Sequence, residues 1–281
     1  MRVIPTADAM RAWSLLEKRE GRRVGFVPTM GYLHEGHLSL VRLARQRCES
    51  VVVSLFVNPT QFLPGEDFAA YPRNFGRDRD MCRDAGVDVL FHPAADEMYA
   101  ADHSVIVDEQ RLSAGLCGAS RPGHFRGVLT VVAKLFHIVL PDVAVFGQKD
   151  AQQARLIQRM VRDLQFPVEI LVGPIVREAD GLAMSSRNKY LSPAERREAL
   201  CLRRALDRVE ALFAAGERDA ARLRAAMMEI FDGTPSARVD YAAIVDDTTL
   251  EPLAEVNRRA LVALAVRIGT TRLLDNTVLP A

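Results

Sequence analysis

An excess of charge of one sign and long apolar runs are both missing from this 281-residue chain. Its 37 basic residues are balanced by 36 acidic ones, and the net charge of +1 gives no field suited to nucleic acid or to an anionic membrane. No apolar run reaches the length that crosses a bilayer, and the first residues, MRVIPTADAMRAW, lack the apolar core of a signal peptide. We therefore expect a cytoplasmic protein that binds neither nucleic acid nor membrane.

Cysteine and lysine are also scarce. The four cysteines lie too far apart for the paired spacings of zinc or redox motifs, which predicts buried thiols in a reducing compartment. Only four of the 37 basic residues are lysines, and the other 33 are arginines. A lysine is therefore an exception in this chain, and its position carries information.

Apolar runs alternate with helical patterns over the first two-thirds of the chain. Strands are predicted at residues 24–29, 51–57, 87–91, 143–147 and around 168–176, with helices at 38–48, 128–140 and 151–164. This alternation predicts an α/β fold built on a parallel sheet, in which ligands bind beyond the carboxyl ends of the strands.

The composition changes after Val176. Helices are predicted at residues 192–216 and 218–231, and three strands follow at 237–245, 260–268 and 271–279. We therefore expect two domains, residues 1–176 and a smaller α+β domain of residues 177–281.

Two histidines follow the first of these strands, in the sequence PTMGYLHEGH. Gly31 and Gly36 allow the backbone to approach a ligand, and a helix that begins near His37 directs unsatisfied N–H groups toward an anion. His34 and His37 are one helical turn apart, so both imidazoles can donate hydrogen bonds to a bound phosphate. Two alternatives remain open: zinc ligation, for which the spacing is poor and a third ligand is missing, and simple helix capping.

Polar side chains also follow the second of these strands, in NPTQF. Asn58 and Gln61 offer uncharged donors and acceptors between two phenylalanines, which suits a small polar substrate. An ordinary Asn-Pro turn is the alternative. His124 and Arg126, in RPGHFRG, are weaker candidates for contacts to an anion.

Two later segments have the composition of phosphate sites. In GQKDAQQ, Lys149 and Asp150 open a helix after a strand that ends in glycine, which fits a phosphate and its magnesium ion. In GLAMSSRNKYLSP, Ser185, Ser186 and Arg187 can bind phosphate oxygens. Chance placement of one lysine and an ordinary loop before a capped helix are the respective alternatives.

The order of these segments resembles a known family. An H-x-G-H turn followed by a Ser-Ser-Arg loop is similar to the HIGH and KMSKS signatures of the nucleotidylyl-transferase superfamily. PTMGYLHEGHLSLV, FVNPTQF, YPR, RPGHFRGV, FGQKDAQQ and MSSRNKYLS together resemble the pantoate–β-alanine ligase family over residues 24–192. The resemblance implies a Rossmann-like catalytic domain with a HIGH-type nucleotide site, a small α+β domain that closes over it, and a homodimer.

The resemblance also implies a two-step reaction. The carboxylate of (R)-pantoate attacks the α-phosphorus of ATP, and β-alanine then converts pantoyl adenylate to pantothenate and AMP. Mg²⁺ is implied to accompany ATP, without a metal cage built from protein side chains. The implied catalytic residues are His34, His37, Lys149 and Arg187.

Binding roles are implied residue by residue. Gln61 is implied to bind pantoate and β-alanine, Gln153 to bind pantoate, and Asn58 to lie near β-alanine. The implied ATP contacts are Met30, Gly31, Tyr32, Leu33, His34, Glu35, Gly36, His37, Gly147, Gln148, Lys149, Asp150, Val176, Met184, Ser185, Ser186 and Arg187.

The chain departs from the superfamily pattern at two points. Its Ser-Ser-Arg loop lacks lysine before Ser185, so we expect Lys149 and Arg187 to share the contacts to phosphate charge. Gln148 stands where some relatives have an acid. Two rival functions remain open: a nucleotidyltransferase that stops at a nucleotidylated product, and a non-catalytic nucleotide-binding protein. A class I tRNA synthetase is disfavoured because no basic surface is visible.

Overall fold

The computed structural model describes all 281 residues and divides them into two compact units. The first unit comprises residues 1–110, 121–147 and 156–174, and the second comprises residues 111–120, 148–155 and 175–281. Both units are made of separate stretches of chain, whereas the boundary predicted at Val176 is a single cut. That boundary stays a prediction.

A parallel sheet forms the centre of the first unit. Its six strands have the order β1-β4-β3-β2-β5-β6. All five neighbouring pairs are parallel, which confirms the predicted α/β fold with a Rossmann-like sheet. The strands are β1 (Arg2–Ile4), β2 (Val24–Thr29), β3 (Ser50–Leu55), β4 (Val89–Phe91), β5 (Val143–Gly147) and β6 (Glu169–Gly173).

Ten helices accompany the strands. In chain order they are α1 (Ala7–Arg19), α2 (Glu35–Arg45), α3 (Phe75–Asp84), α4 (Ala95–Met98), α5 (Leu116–Ser120), α6 (His124–Val139), α7 (Ala151–Asp163), α8 (Pro193–Glu198), α9 (Cys201–Ala214) and α10 (Ala220–Asp232). None of them combines the length and the apolar character needed to cross a bilayer.

The core of the first unit explains why its strands read as continuous apolar runs. All six residues of β3 are buried, as expected for a parallel strand with helices on both faces of its sheet. The apolar face of α2 packs on the sheet through Leu40, Val41 and Ala44. Burial of each large aliphatic side chain contributes about 1.5–3 kcal/mol, so this packing holds the turn between β2 and α2 in place.

The second unit contains an antiparallel sheet in the order β7-β8-β9. The strands β7 (Ala237–Asp246), β8 (Ala260–Ile268) and β9 (Thr271–Leu279) confirm the three predicted ones. The helix predicted over residues 192–216 is instead two helices, α8 and α9. At the break, the amides of Leu200 and Leu202 donate to carbonyls three residues earlier, which tightens the turn and interrupts the α-helix.

Candidate functional site

The turn between β2 and α2, residues 29–37, is called the histidine loop below. Gly31 has φ of +88°, a conformation that side chains with a Cβ rarely adopt. A Cβ at Gly31 would also lie 3.1 Å from the Asp78 carboxylate. The Gly31 amide donates to the Thr29 hydroxyl at 3.1 Å, so the turn begins as soon as the strand ends.

A buried carboxylate on α3 fixes the middle of the histidine loop. Asp78 accepts the Tyr32 amide at 2.7 Å and the Leu33 amide at 2.8 Å, and it is only 2% exposed. Arg77 lies over the Tyr32 ring at 5.0 Å from the ring centroid. The sequence prediction missed Asp78, because it stands among charged residues and lies 45 positions from Leu33.

Both histidines cap α2. The Nδ1 atom of His34 accepts the Gly36 amide at 3.1 Å, and the Nδ1 atom of His37 accepts the His34 amide at 3.3 Å. An imidazole that accepts on Nδ1 carries its proton on Nε2 when neutral, so each ring has an Nε2–H donor. The capping interpretation is therefore observed, and it leaves donation to phosphate open.

Zinc ligation by these histidines finds no support in the geometry. The Nδ1 atoms of both rings are engaged by backbone amides. No group of three or more His, Cys, Asp or Glu side chains is placed to hold a metal ion.

Asn58 is buried and uses both ends of its side chain. It is 1% exposed, and its Oδ1 accepts the Thr60 amide at 3.3 Å, the Thr60 hydroxyl at 2.9 Å and the Tyr99 hydroxyl at 2.9 Å. Its Nδ2 donates to the Gly127 carbonyl and to Gln61 Oε1, each at 3.1 Å. The backbone amide of Thr60 and the carbonyl of Gly127 therefore fix which end of the Asn58 amide is oxygen.

This arrangement also orients the Gln61 amide. Because Asn58 donates to Gln61 Oε1, the remaining end of the Gln61 side chain is its NH₂ group. That group lies 2.9 Å from the Met30 sulfur, and Gln61 is 9% exposed. The donor end of Gln61 thus lies beside the histidine loop.

Two side chains contact the backbone carbonyl oxygen of Gln61, and a third holds one of them. His124 contacts that oxygen through Nδ1 at 2.7 Å, and Arg121 donates to it at 3.3 Å. Glu66 pairs with two nitrogens of Arg121, each at 2.6 Å. Arg126, which was grouped with His124 in the sequence analysis, instead pairs with Asp108 on an exposed surface.

Close approach of two backbones makes Gly127 necessary, and we predict the effect of its replacement. A Cβ at Gly127 would lie 2.3 Å from the Thr60 carbonyl oxygen and 2.7 Å from Gln61 Cα. Gly127→Ala is expected to displace the turn Pro59–Gln61 and to cost about 1–3 kcal/mol of unfolding free energy. Denaturant unfolding measures the loss of stability. Gly76→Ala, at an exposed position of α3, is the control and should unfold like the unaltered chain. Equal behaviour of both variants would contradict the prediction.

Lys149 in the second unit follows β5 in a short 3₁₀ helix, Gln148–Asp150. Asn276 on β9 donates to the carbonyls of Gln148 and Lys149 at 2.9 and 3.0 Å, and it accepts from the Gln148 side chain at 2.9 Å. The Lys149 side chain is 21% exposed, and its Nζ lies 3.9 Å from the Asp150 carboxylate. The backbone of Lys149 is therefore fixed while its ammonium group has only a distant ion partner within the second unit.

Residues 176–190 of the second unit fold back on themselves. The Met184 amide donates to the Val176 carbonyl at 3.0 Å, which brings together two of the predicted ATP contacts. The Ser185 hydroxyl accepts the Arg187 amide at 3.2 Å and caps the 3₁₀ helix Ser186–Tyr190.

Two ion pairs brace residues 176–190. Arg177 makes a bidentate pair with Asp275, at 2.7 and 2.9 Å, and the Asp275 side chain is 1% exposed. Arg196 donates to Glu178 and Asp180, each at 2.8 Å. Its hydrogen bond holds the pKa of Asp180 below the ordinary value. The sequence prediction missed these partners, because Asp275 lies 98 positions from Arg177.

Two of the four cysteines, Cys82 and Cys201, lack the setting of a nucleophile. All four are buried with free thiols, as predicted. Burial raises the pKa of Cys82 to about 12, with a further increase from nearby Asp78, and burial raises the pKa of Cys201 to about 11. These thiols stay protonated at neutral pH, and only the thiolate is strongly nucleophilic.

Comparison with known proteins gives a consistent result along the whole chain. A family model described as pantoate-beta-alanine ligase matches residues 2–278. The pantothenate synthetase of Heliobacterium modesticaldum is 60% identical over 278 residues, which cover 99% of each chain. That of Moorella thermoacetica is 57% identical over 279 residues, again 99% of each chain.

Solved structures show the same similarity. A crystal structure of pantothenate synthetase from Thermus thermophilus has a TM-score of 0.94 and 49% identity, with 99% of each chain covered. The pantoate-beta-alanine ligase of Francisella tularensis, complexed with beta-gamma ATP and beta-alanine, has a TM-score of 0.78 and 32% identity. The match covers 99% of this chain and 97% of that one.

Proposed function

The chain belongs to the pantoate-β-alanine ligase family, and from this premise we propose how its side chains condense (R)-pantoate with β-alanine. The enzyme is an AMP-forming ligase that makes a carbon–nitrogen bond. The pantoate carboxylate attacks the α-phosphorus of ATP, and pyrophosphate leaves. The amine of β-alanine then attacks the acyl carbon of pantoyl adenylate, and AMP leaves with the former carboxylate oxygen.

We propose that His34 and His37 bind phosphate oxygens of ATP. The observation that carries this role is the engagement of both Nδ1 atoms by backbone amides, which leaves Nε2–H as the donor of each neutral ring. Gly31 to Gly36 supply backbone next to the N-terminus of α2, which favours an anion. Donors fixed in this way stabilise charge on the α-phosphate and on the leaving pyrophosphate without reorganising.

We propose that Lys149 and Arg187 carry the positive charge against the triphosphate. Lys149 is the charged contact because its backbone is held by Asn276 while its side chain is long and flexible. Ser185 and Ser186 add hydroxyl and backbone donors to the phosphates. Gly147, Gln148, Asp150, Val176 and Met184 are proposed to contact the adenosine part of ATP.

Magnesium is proposed to accompany ATP. Mg²⁺ is usually bound by one or two carboxylates together with substrate phosphates. Asp150 offers one carboxylate whose side chain is 47% exposed, and no larger group of metal ligands is present. These residues fit an ion held mainly by phosphates, whose charge it neutralises when bound.

We propose that Gln61 presents its NH₂ group to pantoate. Pantoate carries carboxylate and hydroxyl oxygens, so a donor is the complementary group. Asn58 is buried with all its hydrogen bonds directed to protein atoms, so we propose that it acts on β-alanine and pantoate through the orientation of Gln61. Gln153 on α7 is proposed as the second contact to pantoate.

A product assay tests the function directly. Purified protein with ATP, Mg²⁺, pantoate and β-alanine is expected to form AMP and pantothenate in equal amounts, as measured by chromatography. Omission of either pantoate or β-alanine should abolish AMP release in multiple turnover. Steady AMP or pyrophosphate formation without β-alanine would instead favour a nucleotidyltransferase that stops at a nucleotidylated product.

Replacing Gln61 tests the donor assignment. Gln61→Ala removes the donor, and Gln61→Glu puts acceptor oxygens and a negative charge in its place. Loss of a hydrogen bond to a charged group costs about 1.5–3 kcal/mol, so the KM for pantoate should rise roughly 10- to 100-fold in Gln61→Ala and further in Gln61→Glu. ATP binding in calorimetry should change little. Gln46→Glu, at the exposed C-terminal end of α2, is the control. If Gln61→Ala weakens the binding of ATP and of pantoate equally, Gln61 does not belong to the pantoate subsite.

Assembly and location complete the proposal. We propose a homodimer, which sedimentation analysis would detect as a mass of twice 31.2 kDa. We propose the cytoplasm as the compartment, because the enzyme consumes ATP and because its four thiols are free.

A further inference from the structure

A separate group of side chains fixes the backbone of Gln61. Glu66, Arg121 and His124 form a connected set that ends on the Gln61 carbonyl oxygen. The contacts proposed for ATP, pantoate and β-alanine involve none of these three residues. They all belong to the first unit.

Hydrogen-bond chemistry fixes the direction of every bond in this set. A guanidinium has only donors, so Arg121 Nη1 donates to His124 Nε2 at 2.9 Å. His124 therefore carries its proton on Nδ1 and donates it to the Gln61 carbonyl at 2.7 Å. Arg121 Nη2 donates to the same carbonyl at 3.3 Å. The Gln61 oxygen thus accepts from two side chains whose own orientation is fixed.

Glu66 holds Arg121 in the orientation that this geometry requires. Its two carboxylate oxygens each accept from Arg121 at 2.6 Å, a fork-to-fork pair that fixes the plane of the guanidinium. Burial raises the pKa of Glu66, but the hydrogen bonds from Arg121 and the Leu63 amide outweigh burial, and the net pKa lies below the ordinary value. Glu66 is therefore ionised at neutral pH, and the pair is charged.

Burial distinguishes this set from an ordinary surface ion pair. The Arg121 side chain is 13% exposed, that of Glu66 is 24% exposed, and His124 is 8% exposed. Exposed ion pairs contribute little because water screens them and their side chains are mobile. Here both partners are mostly enclosed, so the set can restrain the position of the Gln61 backbone carbonyl.

We propose that Glu66, Arg121 and His124 are positioning residues that set the affinity for pantoate through the backbone of Gln61. This inference rests on the proposed function, in which the Gln61 amide binds pantoate. Asn58 fixes the direction of that side-chain amide, and Glu66, Arg121 and His124 together fix the position of the Gln61 backbone that carries it. Neither His124 nor Arg121 needs to touch the substrate for this role.

Variants of His124 separate positioning from general stability. In His124→Asn, the amide NH₂ takes the place of Nδ1–H and can still donate to Gln61, whereas His124→Leu has similar bulk and no donor. His124→Leu is expected to raise the KM for pantoate about tenfold or more, the effect of one lost hydrogen bond, with the KM for ATP unchanged within twofold. His124→Asn should recover most of the loss. Arg126→Ala, on the same helix and with an exposed partner, is the control and should behave like the unaltered chain.

A second variant keeps the proposal testable if His124→Leu does not fold. Arg121→Lys retains the charge but lacks the fork that reaches Glu66, His124 and Gln61 together, and it should raise the KM for pantoate selectively. All KM values are measured below the unfolding temperature of each variant, as followed by circular dichroism. An unchanged KM for pantoate in both variants, an equal rise in the KM values for ATP and pantoate, or failure of His124→Asn to recover activity would overturn the proposal. If the unaltered chain forms no pantothenate, the proposed function and this inference both fail. If the unaltered chain turns over normally and any of those three results is found, only the inference fails.

Discussion

Lys149→Ala is expected to reduce turnover by a factor on the order of 10² or more, because it would remove the proposed charge contact to the transition state. The fold should persist, since the backbone of Lys149 is held by Asn276 and the nearest carboxylate lies 3.9 Å from its ammonium group. Steady-state AMP formation and thermal unfolding measure the two effects.

Lys189→Ala provides the matched control for Lys149. Lys189 lies in the same unit, is exposed, and contacts the Tyr190 ring at 5.5 Å. Its replacement should leave turnover within about twofold, the range expected of an exposed surface substitution. If Lys149→Ala also stays within a few-fold of the unaltered chain, Lys149 has no part in the mechanism.

His37→Ala is expected to slow pyrophosphate release from ATP and pantoate severely. Removal of one donor that stabilises developing charge costs about 10²–10³ in rate. When ready-made pantoyl adenylate is supplied, the same variant should couple β-alanine at a rate much closer to that of the unaltered chain. Single-turnover measurement of each half-reaction tests this, and an equal fall in both would show that His37 is not specific to adenylation.

Two conservative variants separate capping by His37 from phosphate binding. His37→Asn keeps an acceptor near the position of Nδ1 and can still cap His34, whereas His37→Gln places an NH₂ donor near the position of Nε2. The phosphate role predicts faster adenylation in His37→Gln than in His37→Asn. The reverse order would mean that His37 serves only to cap α2.

The strands of the parallel sheet were predictable because burial on both faces produces continuous apolar runs. Four elements of the first unit were not predicted, namely β1, α1, α3 and α4, and two of them show why. β1 is a three-residue edge strand with a single buried residue, Ile4, so it gives no run. α3 buries only Asp78 and Cys82 among many charges, and a pattern based on apolar spacing does not register a buried carboxylate.

The candidate site likewise contains residues that the sequence singled out and supporting partners that it did not. His34, Gln61 and Lys149 were chosen as candidates because each follows a strand of the parallel sheet, beyond whose carboxyl ends ligands bind. Their supporting partners were not, because they come from distant parts of the chain: His124 lies 63 positions from Gln61, and Asn276 lies 127 positions from Lys149. Only the folded chain brings such residues together.

The start of α2 shows how a polar contact moved a predicted boundary. The apolar pattern predicted a helix from Leu38, but α2 begins at Glu35. His34 caps the helix, and His37 Nδ1 accepts from the His34 amide, so polar contacts stabilise the first turn ahead of the first apolar residue, Leu38. The same capping sets the tautomer on which the phosphate role depends.

Transfer of oxygen from pantoate to AMP tests the central claim most directly. The pantoate carboxylate is labelled with ¹⁸O at both oxygens, and the products are analysed by mass spectrometry. Attack of the carboxylate on the α-phosphorus, followed by attack of the amine on the acyl carbon, predicts one ¹⁸O atom in each AMP, one in each pantothenate and none in pyrophosphate. Unlabelled AMP, or labelled orthophosphate formed together with ADP, would contradict the adenylate mechanism.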